Sequence, residues 1–124
     1  IYVTRKFNFC ASHRYYNHKW SEEKNLEVFG KCTNKNSHGH NYDLYVTVTG
    51  VLDEETGMVI NISDLKRIVG DIVEQFDHKN LNLDTPYFTH QIPTTENLAK
   101  LFFELIKANL PEAIILTSVK NIST

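Results

Sequence analysis

An α+β domain with an antiparallel sheet and two helices packed on one face is the fold this 124-residue sequence predicts. Three observations carry that expectation. "HGHNYDLYVTVTGVL" alternates with period two, so His40, Tyr42, Leu44, Val46 and Val48 share one strand face while Asp43, Thr47 and Thr49 take the other. From Ser63 the period changes, and Leu65, Ile68, Val69, Ile72, Val73 and Phe76 form a helical apolar stripe. Leu98, Leu101, Phe102, Leu105 and Ile106 form a second such stripe. With the order strand, strand, helix, helix, strand, one sheet is left to bury both stripes.

The remaining elements follow in chain order. "YVTRKFNFCASH" alternates through Val3, Arg5, Phe7 and Phe9 and reads as a strand ending near His13. Residues 14 to 37 are polar, aromatic and irregular, which predicts a long loop of the kind that carries function in compact domains. "DEETGMVINI" reads as a turn leading into a short extended piece. At "PTTEN", Thr94 or Thr95 can cap the second helix, and Glu96 suits its positive start. After Pro111, "AIILTSVKNIST" reads as a closing strand. An open sheet of this kind exposes its edges, so joining of sheets across subunits is expected.

The bulk numbers narrow the function classes. A length of 124 residues suits a single domain over 1–124, and 41% hydrophobic with 23% charged residues is ordinary for a globular protein. The formal net charge is −2 and no run of basic residues exceeds two, which argues against nucleic acid as a partner. No apolar stretch approaches the roughly 20 residues needed to cross a bilayer, so no membrane partner is expected. Ile1 in place of methionine leaves room for a trimmed leader or tag. Two cysteines, Cys10 and Cys32, are too few for a disulfide framework and predict free thiols in a reducing, cytoplasmic setting.

The chemistry-bearing stretch is "GKCTNKNSHGHNY", residues 30 to 42. His38 and His40 are two apart at a strand start, so both project from one face and can converge on a metal, with Gly39 leaving space between them. A zinc site needs at least one more ligand, and His13 at the end of the neighbouring strand is the candidate. Three histidines would leave the open fourth position of a catalytic zinc. Cys32 has two roles open to it: a fourth ligand that closes a structural site, or a thiolate beside the metal acting as base or nucleophile. Exposed loop histidines with no metal are the plain alternative. In "FDHKNLN", Asp77 can fix the tautomer of His78 and support its imidazolium form; equally, His78 can be a surface residue near a helix C-terminus. His18 and His90 have no partner pattern and read as surface residues.

Taken together, "FNFCASH", "GKCTNKNSHGHNY", "GMVINISDLK", "FDHKNLN" and "PTTEN" resemble the 6-pyruvoyltetrahydropterin synthase family in order and spacing, from residue 7 to residue 97. The resemblance implies the tunnelling fold, or T-fold, in which trimers join sheets into a barrel and two trimers stack as a homohexamer. It implies zinc bound by His13, His38 and His40, and makes Cys32 the general base. It makes Asp77 with His78 a proton relay supplied across a subunit interface, and Thr94, Thr95 and Glu96 part of the pterin-binding segment. The implied reaction eliminates triphosphate from 7,8-dihydroneopterin triphosphate and rearranges the side chain, with zinc acting as a Lewis acid and a thiolate and a carboxylate-held histidine moving protons.

Two details refine the expectation. Five residues separate Cys32 from His38, a spacing similar to the 6-pyruvoyl enzymes; the related 6-carboxytetrahydropterin synthases of queuosine biosynthesis commonly have a shorter gap. The presence of Cys32 argues against the branch that carries glutamate there and cleaves the side chain. The family's third long strand ends in a Glu-Thr pair that anchors the pterin, whereas "SVKNIST" puts Ser123 before Thr124. Losing such a charge-assisted pair costs about 2–3 kcal/mol. A non-catalytic zinc-binding homologue, and a structural zinc site closed by the cysteine together with the three histidines, are the remaining readings.

Overall fold

The computed structural model describes residues 1–124. Its elements are β1 (Tyr2–His13), α1 (Glu22–Phe29), a 3-10 turn (Gly30–Thr33), β2 (His38–Thr49), α2 (Ile62–Glu74), β3 (Lys79–Asn80), α3 (Thr95–Asn109) and β4 (Ile115–Ser123). The sheet order is β3-β1-β2-β4, with β1, β2 and β4 antiparallel and the two-residue β3 parallel to β1.

The alternation of β2 does what its pattern requires. Tyr42, Leu44, Val46 and Val48 are buried, together with Phe9 and Ala11 of β1 and Leu116 of β4. Against this face pack Leu65, Val69, Ile72, Val73 and Phe76 from the α2 region and Leu98, Phe102 and Ile106 of α3, in one core cluster. Phe102 meets the Phe9 ring edge-on at 5.5 Å and the tilted Phe76 ring at 4.8 Å, while Phe9 stacks on Tyr42 at 4.8 Å. The aromatic stack therefore reaches from the helices to the strand face that carries the histidines. Both helices begin on a side-chain cap: Asn61 accepts from the Ser63 amide, and Thr94 accepts from the Asn97 amide.

Three expectations need correction. Residues 14 to 37 are not one irregular loop, since they contain α1 and the 3-10 turn. α1 has no apolar stripe, and Leu26 and Val28 are exposed. Its inward residue is Asn25, whose side chain accepts from the Asn17 amide at 2.7 Å and donates to the Asn17 and Ser21 carbonyls at 3.0 Å. A hydrogen-bonded asparagine thus replaces the usual apolar anchor. The segment after the 53–58 turn forms no strand; it bends directly into α2. Finally, β3 adds a parallel pairing, Ala11 with Lys79 and Ser12 with Asn80, that no periodicity could reveal in two residues.

Candidate active site

The register of β1 and β2 builds the histidine cluster. His13 lies opposite His38, and Ala11 opposite His40. Directly opposed residues share a face, so all three imidazoles stand on the helix side of the sheet, at the end of the core stripe. Their ring centroids are 4.8, 4.8 and 4.7 Å apart. Gly39 is not what makes room for them. It points to the other face, and a Cβ there would meet only the Ala11 carbonyl at 3.8 Å. The strand pleat itself sets the spacing.

His13 is 1% exposed. Its Nδ1 is 3.0 Å from the Tyr42 hydroxyl, while its buried Nε2 has no hydrogen-bond partner. Nδ1 of His38 is likewise buried and unpaired. Buried polar nitrogens normally find partners, so two orphans in one cluster point to an absent third party. Burial, with the nearby His40 and His38, lowers the His13 pKa to about 4. Burial and then His40 lower that of His38. Both rings are neutral at pH 7, which is the form that binds a metal. Around one ion with Zn–N of about 2.1 Å, three imidazole centroids stand roughly 5 Å apart, a spacing the three rings match, but the donor atoms that gather within 4.8 Å of one another are those of His13, His38 and Cys32, and His40 is not among them.

Cys32 is brought to the same place by the 3-10 turn. The Tyr15 amide donates to the Cys32 carbonyl at 2.7 Å, and Arg14 Nε donates to the Thr33 carbonyl at 2.9 Å, tying the turn to the end of β1. Sγ is 3.8 Å from Nε2 of His38, and donor atoms of His13, Cys32 and His38 all lie within 4.8 Å of one another. Thiolate and imidazole ligands of one tetrahedral zinc stand roughly 3.5 Å apart. The thiol is therefore within reach of either role, ligand or neighbouring base.

Tyr15 and Tyr42 are site residues that the sequence reading did not single out. Tyr15 lies against His13 with centroids 4.4 Å apart and joins it to Phe29 at 5.8 Å. Its phenol is pushed up mainly by burial, with a hydrogen bond from Thr95 acting the other way and Cys32 and Glu96 adding to the rise. Thr95 and Glu96 therefore border the cluster, whereas the Thr94 hydroxyl is engaged in capping α3. The signal for Tyr42 was present in "HGHNY": it follows His38 and His40 at the same two-residue step.

Asp77 and His78 are not brought to the histidines within this chain. They form a separate group with Cys10, whose side chain points to the opposite sheet face from His13. Asp77 Oδ1 accepts from the Cys10 amide at 3.0 Å and lies 3.0 Å from His78 Nδ1. The Cys10 amide is the chief reason that Asp77 is held below the usual carboxylate range; the His78 contact adds to it. His78 sits at φ +60°, with its amide bonded to the Cys10 carbonyl and its side chain 80% exposed. Ser123 lies opposite Tyr42, on the histidine face but at the outer strand, with an exposed side chain.

An α+β domain whose central strands present three converging imidazoles beside a thiol is thus defined. The chain belongs to the 6-pyruvoyl tetrahydropterin synthase family, which matches residues 2–123. It is 46% identical over 114 residues to the human 6-pyruvoyl tetrahydrobiopterin synthase, covering 91% of this chain and 79% of that protein. Its identity to the Drosophila melanogaster protein of the same name is 43% over 120 residues, covering 96% and 71%. The structure superposes on Caenorhabditis elegans 6-pyruvoyl tetrahydropterin synthase with a TM-score of 0.87 at 31% identity, covering 100% of this chain and 95% of that one.

Proposed function

We propose that this protein is a 6-pyruvoyl tetrahydropterin synthase that eliminates triphosphate from 7,8-dihydroneopterin triphosphate and rearranges its side chain. The observation that carries this reading is the imidazole triangle with its unpaired, buried His13 Nε2, set beside the Cys32 thiol. His13, His38 and His40 would hold zinc, which supplies Lewis-acid activation of oxygens on the substrate side chain.

The chain's own residues divide the remaining work. Tyr42 fixes the His13 ring: with the His13 proton on Nδ1 donated to the phenol oxygen, the Nε2 lone pair faces the cluster. Cys32, as thiolate, accepts the proton released from the side chain of the substrate. Asp77 holds His78, which returns a proton elsewhere; because the pair lies on the other sheet face, it serves the site of a neighbouring subunit. Thr95 and Glu96, beside Tyr15, border the space for the pterin ring. No group is asked to attack phosphorus, since triphosphate departs by elimination.

Relay across subunits requires assembly, and a homohexamer built through open sheet edges supplies it. Supporting this, β4 and most of β1 present unpaired outer edges, and Ile1, Tyr2, Ile115 and Ile122 are exposed there. No helix is long and apolar enough to cross a membrane, and the two free thiols suit a cytoplasmic setting. The 43–46% identity to relatives named as 6-pyruvoyl enzymes supports this product over the 6-carboxy alternative.

The test is metal content and turnover of Cys32→Ala beside His38→Ala. Cys32→Ala is expected to retain one zinc per chain and to lose turnover, and His38→Ala to lose both. Release of zinc by Cys32→Ala would instead make the cysteine a ligand in a closed site.

A further inference from the structure

The sheet face opposite the histidines carries a second gathering of ligand atoms. Cys10 pairs with Asn41, one step from the Ala11–His40 pair, so its side chain leaves the sheet on the side away from the imidazole triangle. Donor atoms of Cys10, Asp77 and His78 all lie within 4.8 Å of one another. Cys10 is a free thiol, and the group is open to water, the Asp77 side chain being 37% exposed and His78 more so.

Two backbone contacts hold the Asp77–His78 dipeptide over the thiol. The Cys10 amide donates to Asp77 Oδ1 at 3.0 Å, and the His78 amide donates to the Cys10 carbonyl at 2.6 Å. One step on, Ala11 pairs with Lys79 in the β1–β3 ladder. Strand register, not a loose loop, thus assembles the three side chains. With His78 at φ +60°, its Nδ1 comes to 3.0 Å from Asp77 Oδ1.

The donor chemistry selects the ion. One sulfur, one imidazole nitrogen and one carboxylate oxygen suit a borderline-soft divalent cation of the zinc class, whereas magnesium and calcium demand oxygen. Around a tetrahedral zinc, N and O ligands stand roughly 3.3 Å apart, and S and N roughly 3.5 Å. The 3.0 Å Nδ1–Oδ1 contact is close to that edge, and a donor pair at the 4.8 Å limit needs about 1 Å of side-chain adjustment.

We propose that Cys10, Asp77 and His78 form a second, weaker site for a zinc-class divalent cation, and that filling it silences the proton relay. The thiol enters as thiolate, with its proton released to water. The ion occupies the imidazole lone pair, so His78 can neither take up nor return a proton. The inhibitory consequence rests on the relay role proposed above; the binding itself does not. Water reaches this group whereas His13 is buried, so the histidine triangle fills first and the second ion binds when zinc is in excess.

The experiment titrates cobalt(II) into chain already loaded with one equivalent of zinc and reads the thiolate-to-cobalt charge-transfer absorbance. Cobalt binds such donor sets more weakly than zinc, so it does not displace the first ion. Wild type, Cys10→Ser, Cys10→Ala and Cys32→Ala are compared. Wild type is expected to take up one cobalt with that absorbance, and Cys32→Ala to do the same. Both Cys10 variants should lose the absorbance and bind cobalt at least about tenfold more weakly, since even partners outside a ligand set contribute that much. Turnover of 7,8-dihydroneopterin triphosphate at one zinc per chain should be equal in wild type and Cys10→Ser, while excess zinc should inhibit the wild type at about tenfold lower concentration. Absorbance that survives in Cys10→Ser, disappears in Cys32→Ala, or never forms in wild type would overturn the site. Equal inhibition of wild type and Cys10→Ser by zinc would overturn the silencing of the relay. A chain that binds cobalt through Cys10 but turns over no pterin would support the site and refute the synthase reading instead.

Discussion

Replacing Tyr42 by phenylalanine removes one oxygen from a side chain 1% exposed and leaves its ring stacked on Phe9. The lost contact is the 3.0 Å hydrogen bond to His13 Nδ1. His13 is itself buried, so no water replaces the phenol, and the unpaired nitrogen costs about 1–3 kcal/mol. The metal-free protein should lose stability by that amount in denaturant unfolding, with an unchanged slope. The effect on the metal should be larger than on the fold. Partners that orient a ligating histidine typically contribute about 10–100-fold in metal affinity, so zinc competition against a chromophoric chelator should show a loss of that size in Tyr42→Phe. Zinc affinity within a factor of about two of wild type would refute the orienting role of Tyr42, even if stability fell.

Other perturbations test separate parts of the account. The lowered His13 pKa makes stability of the metal-free chain depend on pH with a definite sign. Below its ordinary value of 6.5 the unfolded chain binds a proton that the folded chain refuses until about pH 4. The contribution is complete above 6.5 and falls by about 3 kcal/mol as pH drops through that window; His38 acts in the same direction, and a flat stability between about pH 7 and pH 4.5 would contradict both. Asn25→Ala deletes three hydrogen bonds from the anchor of α1 and should cost about 2–4 kcal/mol, read as faster amide exchange across 17–30. Asp77→Asn should weaken the hold on the Cys10 amide and on His78, so any turnover should fall while zinc content per chain stays unchanged; zinc loss in this variant would place the pair in the metal site.

The parts of the fold that the sequence disclosed are those with long, unbroken apolar periods. β2 alternates over Tyr42, Leu44, Val46 and Val48, and the α2 and α3 stripes each bury at least three residues in one cluster. α1 stayed hidden because its inward residue is the polar Asn25; the cues it did offer were a serine cap at Ser21, Glu22 and Glu23 in the first turn, and Gly30 at the end, at φ +57°. The histidine triangle was legible because strand geometry is rigid: a two-residue step and an antiparallel neighbour fix three side chains. The separation of Asp77–His78 from that triangle was not legible from spacing, since it depends on the β3 pairing and on the left-handed backbone of His78. His18 and His90 read as surface residues, and both are exposed; that they line one cavity is set by distant segments and no spacing discloses it.

The central claim is tested most directly by incubating the zinc-loaded protein with 7,8-dihydroneopterin triphosphate and identifying the pterin products by mass spectrometry, with Cys32→Ala alongside. The account predicts a product that has lost triphosphate and kept its three-carbon side chain, formed by the wild type and not by the variant. A shortened side chain, or no product from folded, zinc-loaded protein, would contradict it and turn attention to Ser123 in the closing strand.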